Sequence, residues 1–350
     1  MTCNRGVLIK ALILCVLLIR AHPSVSQAAP TQSSRCEEQK DSDEVPVAEA
    51  CLHNPVLWHD PGAITSLDLF YGQGGKDGQP APPFKFVAED MHGTNPKFDA
   101  RDAQNNKWRV KLGNEARPEV VASRLLWAVG YFVNDDYVLE SAEVENLHLT
   151  RGADMVADGH LDDARFAKKP EGQKKIGIWR WKENPFSGSK ELNGLRVIMA
   201  VMNNWDLKDV NNAVFEDKKS GQDIFLVSDI GATFGTNGMS FSMGRSKGDL
   251  GTFEKSKFIT HRTDVDVDFA TPALPNPVIA ADINEYKRRR EIEWIGKNIP
   301  IADARWIGVM LKQLSHQQLV DAFRAGRFPP DEVERYVGIV EARISELAAL

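Results

Sequence analysis

The sequence predicts an α+β fold, with a small antiparallel β lobe followed by a larger helical lobe. Strand-like segments separated by turn signals are concentrated before residue 112, and amphipathic helical patterns follow them to the C terminus. Of the 350 residues, 42% are hydrophobic, which is enough for a buried core and excludes a wholly disordered chain. Strands and helices that are segregated along a chain in this way are typical of α+β proteins.

Composition also limits the class of protein. The chain carries 43 Lys and Arg residues against 49 Asp and Glu residues, so its formal net charge is −6. This balance provides no basic field that would attract a nucleic acid. Collagen-like, coiled-coil and multi-span membrane proteins are excluded because there is no Gly-X-Y period, no long heptad array and no second long apolar run. The length suits one large domain or two packed lobes.

Residues 1–28 are predicted to be a signal peptide. Arg5 and Lys10 precede the apolar run Ala11–Ile19, and Ser26-Gln27-Ala28 fits a small-x-small cleavage site. The run is too short to span a bilayer comfortably, so an uncleaved anchor is the less favoured alternative. We therefore expect cleavage near Ala28 and an exported chain, secreted or periplasmic, that keeps no transmembrane span.

Residues 29–64 are predicted to be a linker, since their first part is polar and lacks large apolar residues. After signal cleavage, Cys36 and Cys51 are the remaining cysteines. In an exported chain such a pair is expected to form one structural disulfide. A thiolate metal site is the alternative, but two cysteines without a close second pair support it weakly.

A β-rich lobe is predicted over residues 65–140. Its strand-forming segments alternate with polar turns, which is the pattern of a small antiparallel meander. The segments are Phe84–Val87, Lys97–Arg101, Lys107–Leu112 and Tyr137–Leu139. A helix is predicted to start at Pro118, a residue suited to a first helical position, and to end at Gly130.

Residues 141–350 are predicted to form the helical lobe. A helix from Glu191 to about Asn203 carries apolar residues at helical spacing. Ser315 and Gln318 form a capping box that opens a later helix. A last helix is predicted to begin near Asp331, directly after two prolines.

Five residues that suit phosphoryl transfer occur in order along the chain. A strand ends with Lys111, a helix begins with Glu119, a loop contains Asp206 and Asn211, and Asp229 follows a strand-like run. Transfer from ATP requires a cation on the phosphates, a carboxylate that fixes this cation, an aspartate that orients the attacking hydroxyl, and an asparagine and a second aspartate for Mg²⁺. Each residue alone has an ordinary structural explanation, so the prediction depends on the ordered set.

The motifs around these residues resemble those of a known superfamily. Asp206 and Asn211 keep the D-x-x-x-x-N spacing of the kinase catalytic loop, and Asp206-Leu207-Lys208 matches its D-L-K text. With the strand and helix over Lys107–Val133, they resemble the protein-kinase-like superfamily, nearest to its HipA-type, phosphoinositide-kinase-like and secreted Golgi casein-kinase branches. The similarity covers about residues 84–235 with gaps. It implies a two-lobed kinase-like fold that binds ATP with Mg²⁺ or Mn²⁺.

The resemblance also implies a role for each of the five residues. Lys111 matches the ATP-binding lysine, and Glu119 matches its helix partner. Asp206 matches the catalytic aspartate, while Asn211 and Asp229 match the metal ligands.

The sequence departs from the family pattern at several positions. The turn with Gly93, Thr94 and Asn95 matches the loop that covers the nucleotide phosphates, but it holds one glycine where the family has a G-x-G-x-x-G run. Ile230 stands where Phe is usual, and Trp205 where Arg is usual.

Three assignments stay open at the level of sequence. Glu115 competes with Glu119 as the lysine partner, because Glu119 falls early in its helix. Asp209 is an alternative to Asp206 as the base, and Asn212 is an alternative to the preceding asparagine as the ligand.

Two hypotheses follow for function. The first is an exported ATP-dependent phosphotransferase that acts on an unspecified protein, lipid, sugar or small-molecule acceptor, by phosphoryl or nucleotidyl transfer. The alternative is a catalytically inactive pseudokinase-like scaffold of the cell envelope, which the departures from the family pattern favour. A third possibility, an unrelated secreted structural protein, would make the ordered set a coincidence.

Overall fold

The computed structural model describes residues 45–93, 95–169, 171–204, 206–235, 247–270, 287 and 290–350. The predicted signal peptide lies outside this part of the chain, as do Cys36, Thr94 and Trp205. Cys51, the second predicted disulfide cysteine, is disulfide-bonded. The described chain combines helices with sheets, so the predicted α+β class is confirmed.

After a short strand, β1 (Pro55–Val56), the chain builds a closed barrel. Its strands are β2 (Phe84–Asp90), β3 (Lys97–Arg101), β4 (Lys107–Lys111), β5 (Asp135–Glu145) and β6 (His160–Lys168). The strand order is β2-β3-β4-β6-β5, and a parallel pairing of β2 with β5 closes the ring. Alternate side chains of each strand fill the interior, as the two-residue period of a strand requires. Phe84, Phe98, Trp108, Val110 and Phe166 form its core.

The barrel extends further along the chain than the predicted β-rich lobe. β5 ends at Glu145, and the whole of β6 lies within residues 141–350, for which the sequence predicts the helical lobe. β6 pairs with β5 and also with β4, which lies before the intervening helix. Such a non-local pairing leaves no local sequence signal, and the charged residues of β6, among them the buried Arg165, interrupt the apolar pattern of a strand.

Helix α1 (Ala116–Ala128) connects β4 to β5 and packs against the barrel. Its residues are buried on nearly every side, because the barrel lies on one face and the rest of the protein on the other. Gly130 ends the helix with φ +91°, and a Cβ atom there would lie 2.0 Å from the carbonyl oxygen of His59. Only glycine fits this close approach of two backbones.

A second sheet follows the barrel. Strand β7 (Gln173–Gly177), helix α2 (Lys190–Val201) and the hairpin strands β8 (Asn212–Asp217) and β9 (Gln222–Val227) come in that order. The strand order in the sheet is β1-β9-β8-β7. The hairpin matters for the site, because the loop that enters β8 and the chain that leaves β9 meet at the same end.

The C-terminal part is mostly helical. Its elements are α3 (Leu250–Phe253), β10 (Ile259–Arg262), β11 (Asp266–Phe269), β12 (Ile299–Pro300), α4 (Ile301–Leu311), α5 (His316–Ala325) and α6 (Pro330–Ala348). The predicted capping box of Ser315 and Gln318 opens α5. Phe234, Phe323 and Tyr336 are fully buried and bring the helices into one core with α1 and α2. In the described residues, no helix has the length and hydropathy of a membrane-spanning segment.

His316 connects α5 to α6 in a way that predicts a pH dependence. Its Nδ1 lies 3.0 Å from a Glu341 oxygen and its Nε2 lies 3.1 Å from a Glu334 oxygen, and hydrogen bonding to Glu341 raises the pKa of His316 above 6.5. A raised folded-state pKa contributes stability that is complete below the unfolded value and is lost as the pH rises through the folded value. Urea unfolding should therefore separate wild type from His316→Gln most at about pH 5.5 and least at about pH 8.5.

The matched control is His261→Gln, which replaces another exposed histidine, on β10. This variant is expected to follow wild type at both pH values. A difference between wild type and His316→Gln that stays constant with pH would show that the contact is not ionic.

Candidate functional site

A buried ion-pair cluster centred on Lys111 lies where the barrel meets the second sheet. The Lys111 ammonium is 2.8 Å from a Glu119 oxygen, 3.2 Å from a Glu115 oxygen and 2.6 Å from an Asp229 oxygen. These three carboxylates come from the start of α1 and from the chain that follows β9. The predicted lysine, its helix partner and the predicted metal aspartate are thus in direct contact.

The opposite charges in this cluster shift each other's pKa values toward the charged forms. Burial alone would lower the pKa of Lys111, but the Glu119 and Asp229 carboxylates outweigh burial and hold the pKa above its ordinary value. Burial would raise the pKa of Asp229, yet the Lys111 charge and hydrogen bond lower it to about 2. Lys111 is therefore a permanent cation and Asp229 a permanent anion at neutral pH.

Glu119 occupies the deepest position. Its side chain is 2% exposed and contacts both Lys111 and Arg165, whose guanidinium lies 3.2 Å from a Glu119 oxygen. Arg165 also donates to Asp136 at 2.9 Å. Burial raises the pKa of Glu119, while Arg165 and Lys111 oppose that rise. Lys111, Glu119 and Arg165 thus each have a partner of opposite charge, as a low-dielectric site requires.

Glu115 is shared by three other parts of the chain. Besides Lys111, its carboxylate accepts hydrogen bonds from Asn95, in the turn between β2 and β3, and from Lys247. Gly231 packs on it so closely that a Cβ atom there would lie 2.7 Å from the Glu115 Cβ. The alternative left open by the sequence is thus answered by geometry: Glu115 and Glu119 both bind Lys111.

Asp229 is the member of the cluster that reaches solvent. Its side chain is 46% exposed, whereas those of Lys111, Glu115 and Glu119 are at most 7% exposed. Its backbone adopts φ +52°, in the left-handed region that Asp tolerates better than most residues. Asp229 therefore presents a carboxylate to solvent while it stays bound to Lys111.

The loop before β8 forms a second cluster. The Asp206 carboxylate pairs with Lys208, with 2.8 Å between Oδ2 and Nζ, and the Asp206 N–H donates to Asn204. The Asn211 side-chain amide donates to the Asp206 carbonyl at 2.7 Å. In turn the Asn211 carbonyl accepts from the backbone and the hydroxyl of Ser228, the residue before Asp229. Asp206 and Asn211 thus lie at the same end of the β8–β9 hairpin as Asp229.

The structure separates the remaining alternatives by the direction of their side chains. The Asp209 carboxylate accepts the backbone N–H of Trp181 at 3.0 Å, and burial raises its pKa. Asn212 is buried and its amide donates to the Trp179 carbonyl. Both side chains are used in holding the segment before α2, whereas the Asp206 carboxylate pairs with Lys208 and the Asn211 amide binds within the loop itself.

The turn predicted to cover the phosphates lies directly beside Lys111. Gly93 and Asn95 belong to the described residues, and Thr94 does not. The Arg151 guanidinium donates to the carbonyls of Gly93 at 2.5 Å and of Asp90 at 2.6 Å. The turn is therefore held in place by Arg151, which lies in the connection between β5 and β6, and by the Asn95–Glu115 hydrogen bond. These contacts fix a turn that has no glycine-rich run.

The oxygens of Glu115, Glu119 and Asp229 lie within 4.8 Å of one another, close enough to surround one cation. The Lys111 ammonium takes this central position. Carboxylate and amide oxygens are the ligands that Mg²⁺ and Mn²⁺ prefer. Asp229, exposed and ionised, fits such a role, and so does Asn211, whose amide nitrogen is bound to Asp206 and whose Oδ1 is the atom suited to hold a cation.

Four charged residues of these clusters were not predicted as site residues from the sequence: Asp136, Arg165, Lys208 and Lys247. Lys208 lies in the matched D-L-K text, so its proximity to Asp206 was detectable there. Arg165 lies on β6, a strand that the local sequence pattern does not predict.

Comparison of the chain with protein-family models, with curated proteins and with solved structures finds no match.

Proposed function

We propose that this chain is an exported, kinase-like phosphotransferase that uses ATP with Mg²⁺ or Mn²⁺. The observation that carries the proposal is the Lys111 ammonium held between Glu119 of α1 and Asp229 after β9. The proposed fold is two-lobed, with the barrel and α1 as the first lobe and the remaining sheets and helices as the second. The direct Lys111–Asp229 contact across these parts supports a functional set over a coincidence of motifs.

The proposed roles follow from position and charge. Lys111, a permanent cation, holds the α- and β-phosphates, and Glu119 fixes it in place. Asp206 orients the acceptor hydroxyl and takes its proton, while Lys208, 2.8 Å away, offsets negative charge near the transferred group. Asn211 and Asp229 are the residues that would hold the metal, which neutralises phosphate charge when bound.

The proposed reaction is an in-line displacement. The acceptor oxygen forms a bond to the γ-phosphorus as the bond from this phosphorus to the bridging oxygen of ADP breaks. The hydroxyl proton passes to the Asp206 carboxylate and then to water. The products are a phosphorylated acceptor, ADP and one proton.

A pseudokinase-like scaffold is the second candidate. The supporting observation is that the Lys111 ammonium already donates hydrogen bonds to three carboxylates, over distances of 2.6–3.2 Å. A nucleotide that engages this lysine must compete with them. A protein that keeps these ion pairs would use the surface around the site for binding alone.

The site predicts a metal-dependent stabilisation by ATP that requires Asp229. For the chain without its predicted signal peptide, ATP and Mn²⁺ at about one hundred times the dissociation constant should add about 2.7 kcal/mol, a rise of several degrees in Tm. Asp229→Ala should abolish this rise because the exposed metal carboxylate is lost. The measurement is thermal melting with and without the two ligands.

The matched control is Asp217→Ala, which removes a carboxylate from the exposed turn of the same hairpin and should keep the rise in Tm. If Asp229→Ala kept the rise, the proposed mechanism would be wrong. If wild type showed no rise, the scaffold candidate would be favoured.

A further inference from the structure

Three cationic side chains stand in a row across the outer face of the barrel. Lys97 on β3 is the register partner of Lys111 on β4, and Lys111 is in turn the partner of Arg165 on β6. Directly opposed residues of antiparallel strands project from the same face with their Cβ atoms about 4.5–5.5 Å apart. Like charges at such positions repel each other, so this row requires anions for compensation.

The carboxylates of the protein compensate the three positive charges of this row unequally. Lys111 and Arg165 each have carboxylate partners at 2.6–3.2 Å. For Lys97 the carboxylate partner is Asp90, at 3.7 Å, which is beyond hydrogen-bonding distance. Asp90 is itself engaged by Arg109 and by the His92 backbone and ring. Lys97 is therefore the cation of the row that the protein compensates least.

The burial of Lys97 and the charges around it also indicate incomplete compensation of its positive charge. Its side chain is only 23% exposed, so water compensates the charge incompletely. Burial lowers the pKa of Lys97; Asp90 and, to a smaller degree, Asp229 oppose the change, while the nearby Arg109 and Lys111 charges add to it. A half-buried ammonium of this kind favours an anion that can replace the lost hydration.

Lys97 also lies at the position where the proposed nucleotide phosphates would sit. It is the first residue after the turn, and a Cβ atom on Gly93 would lie 3.7 Å from the Lys97 ammonium. The turn is held above it by Arg151 and by the Asn95–Glu115 bond. The Lys97 ammonium thus lies close to the turn, and Lys97 is the register partner of Lys111.

We propose that Lys97 is a second phosphate-binding residue of the site and that it contacts the polyphosphate tail of ATP together with Lys111. This inference rests on the proposed function. It accounts for the single glycine in the turn, because a lysine side chain supplies the positive charge that backbone N–H groups supply in glycine-rich loops. A lysine binds phosphate as a point charge and needs no close backbone approach.

The test compares ligands that differ in phosphate number. Isothermal titration with Mn²⁺ and ATP, ADP or AMP is made on wild type, Lys97→Met and Lys97→Arg. Lys97→Met should lower the affinity for ATP by about 10- to 100-fold, since a charge-assisted hydrogen bond is lost. Its affinity for AMP should change by less than about 2-fold, and Lys97→Arg should keep most of the ATP affinity because it keeps the charge.

A structural role for Lys97 gives a different result. Without ligand, Lys97→Met should melt at or above the wild-type temperature, because the variant removes one charge from a repelling row. A lower Tm with equal losses of ATP and AMP affinity would overturn the inference in favour of a structural role. The matched control is Lys85→Met, an exposed lysine on β2 whose side chain is 66% exposed, and it should bind ATP as wild type does.

The outcome also separates this inference from the proposed function. If wild type binds ATP and Lys97→Met binds it equally well, Lys97 is not a phosphate ligand and the proposed function stands. If wild type binds neither ATP nor inorganic tripolyphosphate, the proposed function and this inference both fail.

Discussion

Replacing Asp206 with asparagine is expected to lower phosphoryl transfer from ATP by about 10²- to 10⁴-fold, the range that a general base contributes. Asparagine has nearly the same shape and still offers an oxygen to Lys208, which lies 2.8 Å from the carboxylate. It cannot accept the hydroxyl proton. Stabilisation by ATP and Mn²⁺ should stay at the wild-type level, because Lys111, Glu119 and Asp229 are unchanged. The measurements are release of ADP and thermal melting on the same preparations.

The control for this prediction comes from the same loop. Asp209→Asn changes a carboxylate that accepts the Trp181 N–H, so it should affect stability more than turnover. If Asp209→Asn abolished turnover and Asp206→Asn did not, the two roles would be exchanged. A wild-type protein that binds ATP and Mn²⁺ without any ADP release would contradict the enzyme and favour the scaffold candidate.

The second large effect concerns stability. Glu119→Ala is expected to lower the free energy of unfolding by about 3–5 kcal/mol, the cost of breaking a buried ion pair by removing one partner. Glu119 lies 2.8 Å from Lys111 and 3.2 Å from Arg165, and its side chain is 2% exposed. Its removal leaves two buried cations with less compensation. Urea unfolding followed by circular dichroism measures the change.

Two variants bracket this result. Glu119→Gln keeps a hydrogen-bond acceptor and should cost less than alanine. Glu143→Ala removes an exposed carboxylate from β5 and should stay within about 0.5 kcal/mol of wild type. A loss of less than about 1 kcal/mol for Glu119→Ala would contradict the picture of a carboxylate that compensates two buried charges.

Parts of the site that depend on local patterns could be predicted from the sequence. Lys111 ends a strand, Glu119 lies in the first turn of a helix and Asp229 follows a strand, as expected, and the structure brings the three side chains together. Local pattern could not choose between Glu115 and Glu119. The reason is geometric: the lysine lies beside the first turns of α1, where side chains four residues apart share one face.

The remaining features depend on contacts between distant parts of the chain. Arg165 reaches Glu119 only because β6 pairs with β4 across the intervening helix and β5. Lys97 is the exception, because the short turn between β3 and β4 pairs Arg101 with Lys107 and thereby sets Lys97 beside Lys111. The sequence gives Asp209 and Asp206 as alternatives for the base because both lie in the same loop. The Asp209 carboxylate binds the Trp181 N–H only because the segment before α2 packs against this loop.

The shared carboxylate of Glu115 has a consequence for communication through the molecule. Its two oxygens already accept from Lys111, Asn95 and Lys247, and a carboxylate offers only about four acceptor positions. A new cation that binds both oxygens needs more than the one position left, and it must therefore compete with the turn that carries Asn95 or with the segment that carries Lys247. Competition for one group makes the two segments thermodynamically linked. Because linkage is reciprocal, a molecule that orders one segment changes the affinity at the other by the same factor.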